Sequence, residues 1–295
     1  MAGKIEIPEQ IKSELPLTKW GKILGVTPIV MTVIATMLAG LASSEMTKAQ
    51  YDRSLAAQLQ SKAGDQWSYY QAKKLRGAVA RNTLDLLMAT AEVAPFDAAA
   101  LPNANAAAVA ALTKNELPAT APAQLAPEVR AVLDQVANAR PEGEIAAALA
   151  KVAPASLAAS LQAAQDAALA FDNASKGVNR IVDQADEALM AGDKPVFRGF
   201  SAARLRYTAA RYDLESQLNL TVAGLYELQV RQGNYSAEKH HARSSEFFYG
   251  MLAAQLGVIV STFALAARKR NLLWSLAAAA GMVAVAFSVY VYLYV

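Results

Sequence analysis

Cysteine is absent from the 295 residues, which excludes disulfides, thiolate metal sites and cysteine nucleophiles and leaves the redox compartment open. Histidine is nearly absent: His240 and His241 are the two in the chain. A conventional zinc or bis-histidine haem site would therefore need ligands from another subunit. There is no glycine-rich phosphate loop, no G-x-S-x-G and no H-E-x-x-H, so the usual sequence marks of nucleotide, serine-hydrolase and zinc-protease chemistry are missing. Proline is scarce outside one region, with 8 of the 11 prolines falling between 93 and 198.

Charge is missing where it says most. The runs 23–42, 247–267 and 272–295 contain no charged residue, and each approaches the roughly 20 residues that cross a bilayer's hydrocarbon layer. These are expected to be transmembrane helices, the first extending to residue 44. A cleaved leader is disfavoured for 23–42, because its apolar run exceeds the usual length of about 7–15 residues. About 200 residues separate the first run from the second, whereas only Arg268, Lys269, Arg270 and Asn271 separate the second from the third. The expected class is an all-α membrane protein: three transmembrane helices, a long antiparallel helical stalk and an Ala/Pro-rich helical cap.

The net charge of +3 belongs to the membrane flanks. Segment 45–246 has 21 basic and 22 acidic residues, without the basic surplus a nucleic-acid surface requires. Short basic loops stay on the cytoplasmic side, so Arg268-Lys269-Arg270 places the amino terminus (1–22) inside and 45–246 outside. Trp20 and Trp274 then mark the inner boundary, and Tyr290, Tyr292 and Tyr294 the outer one. In the second run Ala253, Gly257 and Ser261 are spaced by four, and Ala277 and Gly281 repeat this in the third, a spacing that lets helices approach closely. Gln255 is the strongly polar side chain well inside a run and is expected to make an interhelical hydrogen bond.

Segments 45–92 and 199–246 contain no proline and continue the first two runs without a breaker. Leu55, Leu59, Ala63, Trp67 and Tyr70 step by 4, 4, 4 and 3, and Leu214, Leu218, Val222 and Leu225 by 4, 4 and 3, as helical stripes do. Each segment is 48 residues long, so 45 and 246 set level give an antiparallel register in which paired positions sum to about 291. That register puts Trp67 near Ala223 and Gly224, and Lys73, Lys74 and Arg76 near Asp213 and Glu215. Between the segments, 93–198 holds 34 alanines in 106 residues, with helices expected at 127–139, 142–152 and 155–191.

Two constellations merit a functional reading. Glu238 and His241 form a Glu-x-x-His pair on one helix face, with His240 beside it, a spacing known from di-iron bundles. Those sites need two such motifs and two further carboxylates, and only Glu45, Asp52 and Glu246 lie nearby, so Glu238, His240 and His241 are weak metal candidates. Asp65-Gln66-Trp67-Ser68-Tyr69-Tyr70-Gln71-Ala72-Lys73-Lys74 is the most unusual stretch; Trp67, Tyr69, Tyr70, Lys73 and Lys74 are candidates for a protein-docking face.

The same stretch, Asp65-Gln66-Trp67 followed by Tyr69-Tyr70-Gln71-Ala72-Lys73, resembles the signature of a bacterial membrane family, domain of unknown function 4337. His240-His241-Ala242-Arg243 and Gln255 look similar as well. The resemblance covers roughly 1–92 and 199–295 and implies one amino-terminal span, a helical extramembrane segment and two closely spaced carboxyl-terminal spans; it implies no activity. The expectation is a non-enzymatic inner-membrane scaffold or accessory subunit with a periplasmic stalk. It would contact membrane lipid, use no cofactor and no evident small-molecule substrate, and assemble as a homo-oligomer or within a larger complex. The alternatives are a sensor relaying through a partner and a metal-binding membrane protein using Glu238 and His241.

Overall fold

The computed structural model describes residues 19–101, 105–266 and 270–294, apart from the side chains at a few helix ends. Residues 1–18 of the expected amino-terminal segment 1–22, and 268 and 269 of the basic loop expected at 268–271, lie outside the described residues; Arg270 and Asn271 are helical. Among those residues the chain is all-α, without a strand. The helices are α1 (Lys19–Thr90), α2 (Ala106–Lys114), α3 (Pro127–Ala137), α4 (Glu142–Leu149), α5 (Pro154–Met190), α6 (Lys194–Ala266) and α7 (Arg270–Tyr294), with a 3₁₀ turn at Ala98–Ala100. The first two apolar runs form single helices with the segments that follow and precede them: α1 has 72 residues, with Pro28 inside it, and α6 has 73. Three helices are long and apolar enough to cross a membrane, within Gly25–Thr90, Lys194–Ala264 and Leu272–Leu293.

The chain divides into two compact units, 1–54 with 234–295 and 55–233. α1 and α6 contribute to both. The division falls about ten residues beyond the expected ends of the first two spans.

In the unit formed by 1–54 and 234–295, small residues face inward. α1 buries Met31, Ala35, Leu38, Ala42, Glu45 and Ala49, stepping alternately by 4 and 3. α6 buries Ala254, Ser261 and Ala264 together with Gly250 and Gly257, and α7 buries Ala277, Gly281, Ala284 and Val291. This is the heptad period of helices that wind about one another. The Met31 thioether lies between two glycines: a Cβ on Gly257 would stand 3.2 Å from its Cε, and one on Gly281 only 2.0 Å. Large side chains point outward instead, including Ile29, Val33, Met37, Leu256, Phe263, Met282 and Leu293, each more than half exposed. Ser244 Oγ donates to the Ala42 carbonyl (2.8 Å) and Trp274 Nε1 to Thr27 Oγ1 (3.1 Å), tying α6 and α7 to α1.

The unit 55–233 buries large aromatic and aliphatic side chains beside its alanines. Its core holds Leu101, Leu112, Val178, Ile181, Phe200 and Tyr207, with Phe171, Leu225 and Leu228 also fully buried. The prolines act as expected of helix starts: Pro127 and Pro154 occupy first-turn positions, and Pro141 precedes α4. Asn105 caps α2 by accepting from the Ala108 amide (2.8 Å), and Asn115 ends it in the left-handed conformation, φ 59°. Where 94–96 crosses α6 the backbones nearly touch, and a Cβ on Gly199 would lie 2.8 Å from the Ala94 carbonyl oxygen.

Two sequence expectations need correction here. The stripe drawn through Leu55, Leu59, Ala63, Trp67 and Tyr70 fails at Leu55, while Ala63 is buried and Leu59, Trp67 and Tyr70 are half-buried. Leu55 is 41% exposed, while Ala56, Ala63 and Ala80 are buried, continuing the 4–3 steps of the seam. Gly224 is not a notch for Trp67, because the atom that would meet its Cβ is Leu133 Cδ2, at 3.1 Å. α3 takes the place that the simple two-helix register assigned to the indole.

Candidate functional site

The 65–74 stretch lies in the unit 55–233, on α1. Trp67 is half-buried and sits edge-on to Tyr70, with ring centroids 5.7 Å apart. Lys73 donates to Glu215, whose carboxylate is buried, and its Nζ lies 5.4 Å from the Tyr212 ring. The Arg211 Cζ lies 4.5 Å from the centroid of the same ring, and its Nε is 3.6 Å from the second Glu215 oxygen. Arg81 pairs with Asp213. Gly77 makes room for the crossing, since a Cβ there would stand 3.3 Å from Asp213 Oδ1 and 3.4 Å from Tyr212 Cβ. The charged neighbours expected for Lys73 are thus met, and Lys73 and Trp67 are engaged within the protein. Lys74 lies over the Tyr70 ring at 5.8 Å, and Tyr69 is 57% exposed. Of the five docking candidates, Tyr69 and Lys74 present the most side chain to the surroundings.

A polar cluster that the sequence reading used only as background occupies the other unit. Glu45 is 8% exposed, yet its Oε2 is 2.6 Å from His240 Nδ1 and its Oε1 accepts from Lys48 Nζ at 2.7 Å. Seven residues further along α1, Asp52 Oδ2 accepts from Ser236 Oγ (2.7 Å). Burial pushes the Glu45 carboxyl upward, but the hydrogen bonds and charges of Lys48 and His240 outweigh it and hold the group below its ordinary value. This geometry revises the Glu-x-x-His reading. His240 turns to Glu45 on α1, while Glu238 and His241 are exposed on α6. Among the described residues no group of three or more His, Asp or Glu side chains is placed to hold a metal ion. The signal for the pairing was the heptad position of Glu45, which lies on the same seam as Ala35, Leu38, Ala42 and Ala49.

The packing candidates in the apolar runs separate by face. Gly257, Ser261, Ala277 and Gly281 are buried, whereas Ala253 is half-buried and its neighbour Ala254 is the fully buried residue. Gln255 is exposed and makes no hydrogen bond among the described residues, against the expectation of an interhelical one within the chain. Thr32 and Thr36, which border the same groove, donate to the carbonyls of Pro28 (2.8 Å) and Thr32 (2.9 Å).

Comparison with known proteins agrees with the resemblance read from 65–73. Residues 20–165 match the family model described as Domain of unknown function (DUF4337). The match includes the first apolar run, the whole Trp/Tyr/Lys stretch and α2 to α4, so it continues well into the Ala/Pro-rich region that the resemblance left out, and it stops short of 199–295. No curated protein and no solved structure matches the chain.

Proposed function

We propose that this protein is a non-enzymatic membrane-anchored scaffold, or an accessory subunit of a membrane complex. The observation that carries the reading is the outward turn of large aliphatic side chains along the three apolar helices. Where 1–54 and 234–295 pack, alanine, glycine and serine make up most of the interior, with Met31, Leu38, Phe247 and Val291 among them, and Ile29, Val33, Met37, Leu256, Met282 and Leu293 lie outside. Where 55–233 packs, phenylalanine, tyrosine and leucine are inside. Water penalises the first distribution, and hydrocarbon does not, because between helices in lipid close packing replaces the hydrophobic effect as the driving force.

The cross-helix pairs support a finer reading. Glu45 meets His240 and Asp52 meets Ser236 in one unit; Lys73 meets Glu215 and Arg81 meets Asp213 in the other. Position numbers fall along α6 as they rise along α1, which supports an antiparallel stalk leaving the membrane, with α2 to α5 as its cap. Charge at 268–270 favours a periplasmic module on the bacterial inner membrane. The stalk would hold a partner at a fixed distance from the bilayer, and Tyr69 and Lys74 are the docking residues.

The test is recovery from native membranes after alkaline washing, followed by chemical crosslinking. The protein is expected in the washed pellet and in crosslinked species larger than one chain. A protein released by the wash, or one that remains a monomer and captures nothing, contradicts the reading.

A further inference from the structure

A groove runs along one side of α1 and α6 in the unit 1–54 and 234–295. Its lower part is bordered by Thr32, Thr36, Ala39, Gln255 and Ile259, and its upper part by Ser43 and Ser245 with the larger Phe248, Tyr249 and Met251. No α7 residue borders it. On α1, Ile34 and Leu41 border the grooves shared with α7, while Thr32 and Ala39 lie on the other flank of the Ala35–Ala42 seam, given about 100° per residue. α7 therefore covers one flank of the pair and leaves this one uncovered.

Gln255 decides what should fill it. It is two residues from the midpoint of the run 247–267, exposed, and without a hydrogen bond among the described residues. The threonine hydroxyls beside it already donate to their own helix. An acyl chain offers an amide nothing to bond. A primary amide carries both donors and an acceptor, so its simplest match is an identical amide across a two-fold axis. On the α1 side of the lower groove, at the level of Gln255, Thr32, Ala35, Thr36 and Ala39 are small enough for a second helix pair to come close enough for that bond.

The geometry points to a homodimer in which this groove packs against the same groove of a second copy, with the two Gln255 side chains hydrogen-bonded at the axis. The inference rests on the membrane-spanning reading of the three runs.

The cysteine-free chain permits a direct test with single substitutions Thr36→Cys, Ile259→Cys, Leu256→Cys and Val283→Cys, oxidised in native membranes after an alkaline wash. Disulfide-linked dimers are expected from Cys at 36 and 259, which border the groove, and none from 256 or 283, which are exposed on other faces. Gln255→Leu combined with Thr36→Cys should lower the dimer yield several-fold, and Gln255→Asn should restore part of it. Protein retained in the washed membranes but crosslinking through 256 or 283, or through none, overturns the dimer and leaves the membrane reading intact. An unchanged yield with Gln255→Leu also overturns it. Loss of the protein in the wash overturns both.

Discussion

At the scale of single residues, what a side chain would strike matters more than how near it is. Gly281 and Gly199 make the point. A Cβ on Gly281 falls closest to its obstacle, but the obstacle is the flexible end of Met31; a Cβ on Gly199 meets a backbone carbonyl. Gly199→Ala is therefore expected to cost about 1–3 kcal/mol, by overpacking, and Gly281→Ala less. Thermal melts of the two variants would rank them, and the reverse order would contradict the packing described.

Glu45 supplies the residue-scale pH dependence. Its folded value lies below the ordinary one, so its contribution to stability is fully present above the unfolded value of about 4.5 and is lost as pH falls through the folded value. Melting temperature should drop on acidification below about pH 4.5, and Glu45→Gln should remove part of that drop. A variant with an unaltered acid profile would show that Glu45 is not a contributor. Glu215 is the second charged test. Glu215→Ala leaves Lys73 and Arg211 without their shared carboxylate and is expected to cost about 1–3 kcal/mol.

At the scale of elements, the seam of α1 separates what could be read in advance from what could not. The long helices were legible, because 45–92 and 199–246 lack proline and carry helical periodicity. The prolines at 127, 141 and 154 announced the starts of α3, α4 and α5. The face they bury was harder to see. Hydrophobicity alone selects Leu55, whereas close helix packing selects its neighbour Ala56, since alanine admits a neighbouring backbone. The Trp67 error has a related cause: two paired helices predict a notch at Gly224, and α3 arrives from elsewhere in sequence to fill it with Leu133. The seam makes a sharp prediction. Ala56→Leu should destabilise by about 1–3 kcal/mol through overpacking, while Leu55→Ala stays within roughly 0.5 kcal/mol, as surface changes do. Denaturant titration of both variants checks it, and a more costly Leu55→Ala would restore the leucine stripe.

The candidate sites were legible to different degrees. The Trp/Tyr/Lys stretch stood out by composition, and its charged neighbours on α6 followed from antiparallel arithmetic. Which of its residues remain accessible did not, because exposure of Tyr69 against half-burial of Trp67 depends on helix phase. The histidine pair misled, since local i to i+3 spacing favoured His241 with Glu238 while the nearest carboxylate to His240 came from 195 positions away.

At the scale of the whole molecule, the account stands on three apolar helices and a near-neutral helical module between the first two. The absence of native cysteine makes the decisive measurement simple: single cysteines placed in the module, for example Ala168→Cys, and in the basic turn, Lys269→Cys, probed in intact cells with a membrane-impermeant maleimide. The account predicts labelling of the module from outside the inner membrane and labelling of the turn only after the cells are opened. Labelling of the turn in intact cells, or of both positions alike, would contradict it.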